Sequence, residues 1–468
     1  MGQRSLEDHL SNAGNPVEML RNAQVGPNVY PGVPAEYTNW RDEQRAWQET
    51  CVLFNQSFHM AELMVEGPDA LTLLQHLATN SFANFEPLKA KQFAPVTPYG
   101  YVIGDVIMFG NPDGTLNLVG RAPALNWVMF HAETGDWKVE TTFDQRTALR
   151  NDGKRRHFRF QIQGPNAMKV LEKALGHEPA DLKFFNMREE TLAGKKVMAL
   201  RHGMSGQPGW ELYGPWEDHD PVHEALVKAG EEFGMKLVGG RAYGSNALES
   251  AWIPSPLPAV YTGDELKAYR KWAPATGYEA NASLGGSFVS DNIEDYYTTP
   301  WDLGYGHFVK FDHEFIGREA LEKKADEGGH RVKVTLALED DDVTNVFHSF
   351  LQKDASARPK YFEWPNAVYC MHQFDAVTSD GELVGLSTWV GYSANEGRML
   401  TIAILDAEHA EPGSEVTFVW GEENGGTKKP TVEPHTQTEI GAVVAPAPYV
   451  EAARAAYAPG SWRATAQA

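Results

Sequence analysis

Gln56 and His59, an amide and an imidazole three residues apart, interrupt an otherwise apolar run in "CVLFNQSFHMAELMVEGPDA", residues 51–70. Polar side chains that break a buried pattern either satisfy a structural need or line a pocket. In a strand, positions three apart point to opposite faces, so both can meet one ligand only if the strand ends or bulges between them. Several other chemistries lack their residues. The 16 histidines are scattered, and "HFVKFDHEF" offers His307 and His313 on either side of a strand-like run rather than the closely spaced helical pair zinc prefers. "RHGMSGQPG" puts Met204 before Ser205, without the nucleophile elbow of a serine hydrolase. No G-x-G-x-x-G follows a strand and there is no Walker A motif. Cys51 and Cys370 are the only cysteines, too few for a disulfide framework, a cysteine-rich metal site or a Rieske centre.

The elements that position such residues show an internal echo. "VEGPDALTLLQHL" (65–77) and "QIQGPNAMKVLEKAL" (161–175) each pass from a strand through Gly-Pro-Asp/Asn into apolar residues at helical spacing: Leu71, Leu74 and Leu77 in one, Met168, Leu171 and Leu175 in the other. Pro is tolerated at the helix start because its missing donor has no helical partner there. Two related α+β units are expected over residues 1–330. From about 330, "HRVKVTLALE", "MLTIAILD" and "SEVTFVW" alternate as strands, with no long helical pattern before the tail, so residues 331–468 read as a C-terminal β domain. Between these regions, 252–288 is rich in Pro, Gly and aromatics and reads as a long loop packed over a site.

At 468 residues the chain is too long for one core. Its 42% apolar and 22% charged residues suit a compact folded protein. Lys and Arg number 41 against 63 acids, and the net charge of −22 repels nucleic acid and anionic membranes, so an anionic ligand needs a local cation. The N-terminal segment lacks a signal-peptide core, and the thiol content suits a reducing cytoplasm.

"LFNQSFHMAELMVEGPDA" resembles the "LFDVSHMGxxxVxGxDA" segment of the glycine-cleavage aminomethyltransferase (T-protein) superfamily, and "FQIQGPNA", "HGMSGQPGWELYGP", "EFIGREAL", "GYSANEGRMLTIAIL" and "AVVAPAPY" follow in that superfamily's order. Within it, "NPVEMLRNAQVGPNVYP", "PVTPYGYVIGD", "VGRAPALNW", "LESAWIPSPLPAVYTG", "GGSFVSDNIEDYY" and "WGEENGGTKKPTVEPH" are similar to the tetrahydrofolate-dependent aryl O-demethylases of the vanillate/3-O-methylgallate and syringate type. The resemblance implies an α+β aminomethyltransferase-like fold, with two related units around a folate channel and a C-terminal β-barrel-like domain. It also implies transfer of an aryl methyl group from a small aromatic acid to N5 of tetrahydrofolate; no obligate protein partner is evident in the sequence. Two alternatives stand beside it. An aminomethyltransferase is disfavoured because Gly104 replaces the first acid of that subgroup's Asp-Asp pair; a non-catalytic folate-binding protein is disfavoured because its K-G-C-Y-x-G-Q-E segment is absent.

The resemblance assigns roles residue by residue. Tyr243 stands where T-proteins carry an arginine, and is the expected proton donor to the departing phenolate; the ordinary tyrosine pKa of about 10 is close to that of a phenol, so transfer would be nearly thermoneutral. Arg121, at a strand end, would hold the benzoate carboxylate in a two-bond fork. Gln56 and His59 would contact ring oxygens, Tyr30 and Trp252 would form aromatic walls, and Glu211 would accept the paired N–H donors of the pterin.

Overall fold

The computed structural model describes residues 4–147, 155–254, 256–353, 358–423, 429–458, 461 and 463. Ser255 and residues 424–428, parts of two of the quoted stretches, lie outside the described residues. The first sheet has six strands in the order Met235–Leu237, Cys51–Asn55, His157–Gln163, Gly209–Pro215, Lys195–Arg201 and Met187–Leu192, antiparallel except for the first pair. The second has five antiparallel strands in the order Ala90–Phe93, Val106–Gly110, Leu116–Gly120, Ala61–Glu66 and Glu140–Asp144. Strand Cys51–Asn55 belongs to the first sheet and Ala61–Glu66 to the second, so the chain crosses between sheets at 56–60. Gln56 and His59 ride on that crossing, and the end of the strand removes the facing problem.

Alternation decides what each sheet shows its surroundings. In His157–Gln163, Phe158, Phe160 and Ile162 pack with Trp210, Leu212 and residues of helices Ala167–Leu175 and His219–Gly230. The intervening Arg159 and Gln161 face polar partners at the other sheet and the site. The echoed helices begin at Ala70 and Ala167, later than the Pro residues, and a glycine precedes each turn for the same reason. Gly67 and Gly164 have φ of 117° and 129°, and a Cβ there would lie 2.4 Å from the Lys138 carbonyl and 2.7 Å from that of Thr50. The buried stripe differs from the expected one. Ala70, Leu73, Leu74 and Leu77 are buried while Leu71 is exposed; Ala167, Val170 and Leu171 are buried while Met168 and Leu175 are partly so. A helix lying on a sheet buries i, i+3, i+4 and i+7; the three-residue spacing of Leu71, Leu74 and Leu77 drifts off that face, and in the second helix the buried face is centred one residue earlier, on Ala167, Val170 and Leu171.

Strands Val332–Leu338, Arg398–Leu405, Glu382–Ser393, Asp375–Ser379, Glu415–Trp420 and Thr438–Ala445 close an antiparallel barrel around Leu336, Val377, Phe418, Trp420 and Ile440. An 11-residue helix, Asp340–Phe350, follows the first barrel strand where no long helix was expected. Only Val343 and Val346 are buried in it, too narrow a stripe to stand out among its polar residues. The 252–288 stretch is also more structured than a loop. It forms helices Lys267–Trp272 and Tyr278–Asn281 and buries Leu257, Val260, Tyr261 and Tyr269 in the largest core, by tertiary contact that has no period to read. Among the described residues no helix is long and apolar enough to cross a membrane.

Candidate active site

Tyr30, Gln56, His59, Arg121, Glu211, Tyr243 and Trp252, all the residues expected at the site, line one cavity of about 760 Å³. That is within the usual range for an organic ligand. Tyr243 lies on the first turn of helix Gly240–Ser250. The buried Glu43 carboxylate fixes where this helix starts, accepting from the backbone N–H groups of Tyr37, Thr38 and Gly239 at 2.7, 2.9 and 2.9 Å. The Tyr30 ring packs 4.4 Å from that of Tyr243, and His59 lies 4.9 Å from Tyr243 and 5.1 Å from Tyr30. Gln56 is anchored by its backbone N–H on the Arg159 carbonyl and donates from Nε2 to the Tyr243 hydroxyl at 2.9 Å. That oxygen therefore accepts from Gln56, and its own proton has no acceptor among the described residues.

Arg121 caps helix Ala122–Thr134 directly after strand Leu116–Gly120, and its guanidinium makes no ion pair or hydrogen bond with the described residues. Its charge is felt nearby. Burial first, then Arg121, Arg155 and Arg146, push the His59 imidazole down to about 3, so it is neutral at physiological pH. For Tyr243 the expectation of an ordinary phenol is corrected: burial, reinforced by Tyr30 and Glu211, raises it well above 10, with Gln56 and Arg121 opposing.

Glu211 sits in strand Gly209–Pro215, buried, and its carboxylate is not wholly free for a ligand. Oε1 accepts from Arg159 Nη1 at 2.8 Å, while Oε2 is 3.7 Å from His202 Nδ1. Arg159 is itself fixed by Glu62 at 3.1 Å and by packing over Phe109 and Tyr213, each centroid 4.6 Å away. Burial raises the Glu211 carboxyl although Arg159 pulls the other way. Trp252 is 43% exposed, so it is a wall of open space rather than core packing, and its indole N–H donates to Asp105 at 3.1 Å.

Asp105 is among the residues that sequence reasoning passed over. Its Oδ2 also accepts from Gln92 at 2.8 Å and Tyr305 at 2.7 Å, which fixes three cavity-lining side chains on one atom. Arg159 and His202 were missed as well. The strict alternation of "HFRFQIQ", apolar on one face and polar on the other, was the available signal for Arg159. Nothing local marks Arg454, Tyr457 and Arg463, which line the cavity only because the segment after the barrel folds back onto it.

Residues 18–254 match the GCVT N-terminal domain family. The syringate O-demethylase of Sphingobium sp. (strain SYK-6) is 62% identical over 460 residues, covering 98% of this chain and 99% of the relative. The sesamin methylene transferase of Sinomonas sp. (strain No.22) is 30% identical over 403 residues, covering 83% and 86%. Among solved structures, the glycine cleavage system aminomethyltransferase T from Bartonella henselae superposes with a TM-score of 0.59 over 93% of this chain and 97% of its own, at 18% identity, a likeness of fold.

Proposed function

The chain belongs to the GCVT N-terminal domain family, and from that premise we propose that it removes the methyl group of a methoxybenzoate of the syringate type and transfers it to tetrahydrofolate. The observation that carries this reading is the meeting, in one cavity, of the Arg121 guanidinium, unpaired among the described residues, with the Tyr243 hydroxyl, whose oxygen is held by Gln56. Arg121 answers the charge of a benzoate in a molecule whose net charge of −22 otherwise repels it. Tyr30 and neutral His59 border the ring's place, and His59 donates or accepts one hydrogen bond without adding charge.

The residues present fit a folate. Glu211 keeps Oε2 for the paired donors of a pterin, and Arg159 holds the carboxylate in place from behind. Tetrahydrofolate supplies N5, the nucleophile that takes the methyl group. Tyr243 gives its proton to the aryl oxygen as the carbon–oxygen bond breaks and that oxygen gains the electron pair. Burial makes Tyr243 a weaker acid than an ordinary tyrosine, but the departing phenolate suffers the same desolvation, so the difference between the two phenols, which governs the transfer, is largely preserved. The resulting tyrosinate would keep the Gln56 N–H and the charge of Arg121, and would regain its proton, through solvent, from the one that the methylated nitrogen gives up, so that no net proton is taken up or released.

We take the enzyme to act in the cytoplasm, where its two free, buried thiols stay reduced, and to need no protein partner. Incubation of the protein with syringate and tetrahydrofolate, followed by mass detection of the phenol and of 5-methyltetrahydrofolate, tests the proposal. Folate that binds but gains no methyl group would leave a folate-binding protein without this activity. Methyl loss without methylated folate would move the acceptor elsewhere.

A further inference from the structure

Tyr30, whose ring packs 4.4 Å from that of Tyr243, reaches the cavity from a stretch of chain that little else holds. The stretch begins after helix Pro16–Arg21, where Ala23 N–H donates to the Leu20 carbonyl at 3.2 Å. It ends at Pro34 and Ala35, whose carbonyls accept from Gly240 and Arg241 at 2.9 and 3.0 Å, on the first turn of the helix bearing Tyr243. Over residues 24–33, apart from a loose turn at Pro31 and Gly32, neither backbone nor side chains make a hydrogen bond or ion pair with the described residues. Both ends are tied down, and the span between them is not.

Ring contacts alone seat this span. Tyr30 lies against Tyr243 and His59, and Gly32, at φ 79°, lies so close to Phe58 that a Cβ would be 2.5 Å from its ring. Val25 and Val29 face outward, 40% and 59% exposed. Pro27 and Pro31 stiffen the span, while Gly26 and Gly32 give it places to pivot. Lifting it leaves no buried polar group unmet, because its backbone is not paired with the protein when it is down, so opening is a low-cost local event.

The place of the span matters because of the two ligands. Methyl transfer needs the aromatic acid in contact with N5, and a folate is much longer than the acid. A cavity with one opening would oblige the acid to enter before the folate and to wait behind it after the reaction. The span covers the cavity at the acid's own end, beside Tyr243 and His59. The charges of Arg121, Arg155 and Arg146 all act on His59, so this end draws an anion in a chain whose net charge is −22.

We infer that residues 24–33 form a strap that lifts at Tyr30 to admit the aromatic acid, and to release its phenol, while the folate stays bound. The inference rests on the methyl-transfer reading above. The acid then has its own door, and neither ligand must precede the other.

Stopped-flow binding of syringate tests this, with protein preloaded with 5-methyltetrahydrofolate so that no turnover intervenes. Syringate should bind the preloaded protein within about twofold of the association rate seen with folate-free protein. Val29→Cys carries an environment-sensitive fluorophore on the outer side of the strap; Cys51 and Cys370 are buried, with thiols pushed up to about 12, and do not compete for the label. Its signal should change in the same phase as syringate binding, and a label on Leu351→Cys, 83% exposed on another helix end, should stay silent. Tyr30→Ala should raise association and dissociation together, each about tenfold, whereas loss of a mere wall would raise dissociation alone. Failure of syringate to bind the preloaded protein, a silent Val29 label, or an unchanged association rate in Tyr30→Ala would overturn the strap and leave methyl transfer standing. Failure of syringate to bind with or without folate would overturn both.

Discussion

At the scale of single residues the proposed reaction rests on two side chains, and their variants have different signatures. Tyr243→Phe keeps the ring that packs on Tyr30 and His59 and removes the proton. The turnover number should fall by roughly a hundred- to ten-thousandfold with little change in KM, and by less for ring-nitrated substrates whose phenols leave more readily. A loss that does not vary with leaving-group acidity would reduce Tyr243 to orienting the ring. Because burial raises Tyr243 well above 10, the proton needed for catalysis is retained in alkali, and wild-type turnover should show no alkaline fall from this group below about pH 10. Arg121→Ala should raise KM for the acid at least about tenfold and far less for the corresponding aldehyde, since only the acid loses an ion pair. Steady-state kinetics on the matched pair checks it, and equal losses would detach Arg121 from the carboxylate.

At the scale of elements, the joint between the barrel and the segment before it carries a titratable group. Asp375, at the start of a barrel strand, is fully buried and accepts from the Ser287 backbone N–H at 3.0 Å and from Gln373 at 2.7 Å. Burial pushes its carboxyl up to about 7 from 3.8. Between those two values the folded protein holds a proton that the unfolded chain has released, so stability falls as pH rises through the window. Asp375→Asn should remove that slope. Denaturant unfolding between about pH 4 and pH 7 should show a shallower decline in the variant than in the wild type, and parallel curves would show that the group is already ionised when folded.

At the scale of the whole molecule, Glu249 ties three distant parts of the chain together. Its Oε2 accepts from the Trp47 indole at 2.6 Å and from Gln48 at 3.1 Å, and its Oε1 from Ser393 and Asn395, both at 2.8 Å. Helix Trp40–Glu49, the helix bearing Tyr243 and the barrel thus meet on one buried carboxylate. Glu249→Ala leaves four donors unmet and should cost on the order of 3–5 kcal/mol in denaturant unfolding, while Glu249→Gln, which keeps one acceptor, should cost less. The order of motifs along the chain determined the family, and with it the α+β fold and seven residues that line one cavity, because such stretches record a whole fold and not a local propensity. Local pattern determined the barrel strands, where alternation is strong, but missed helix Asp340–Phe350, where the buried stripe is narrow. The tertiary structure alone decided the rest: that the 56–60 crossing turns Gln56 to Tyr243, that Arg159 occupies half of Glu211, that burial raises Tyr243, and that Arg454 and Arg463 return to the cavity. Desolvation and charge pairing depend on what lies within a few ångströms in space, and residues such as Glu211 and Arg463 meet the same cavity from positions 252 apart in the chain.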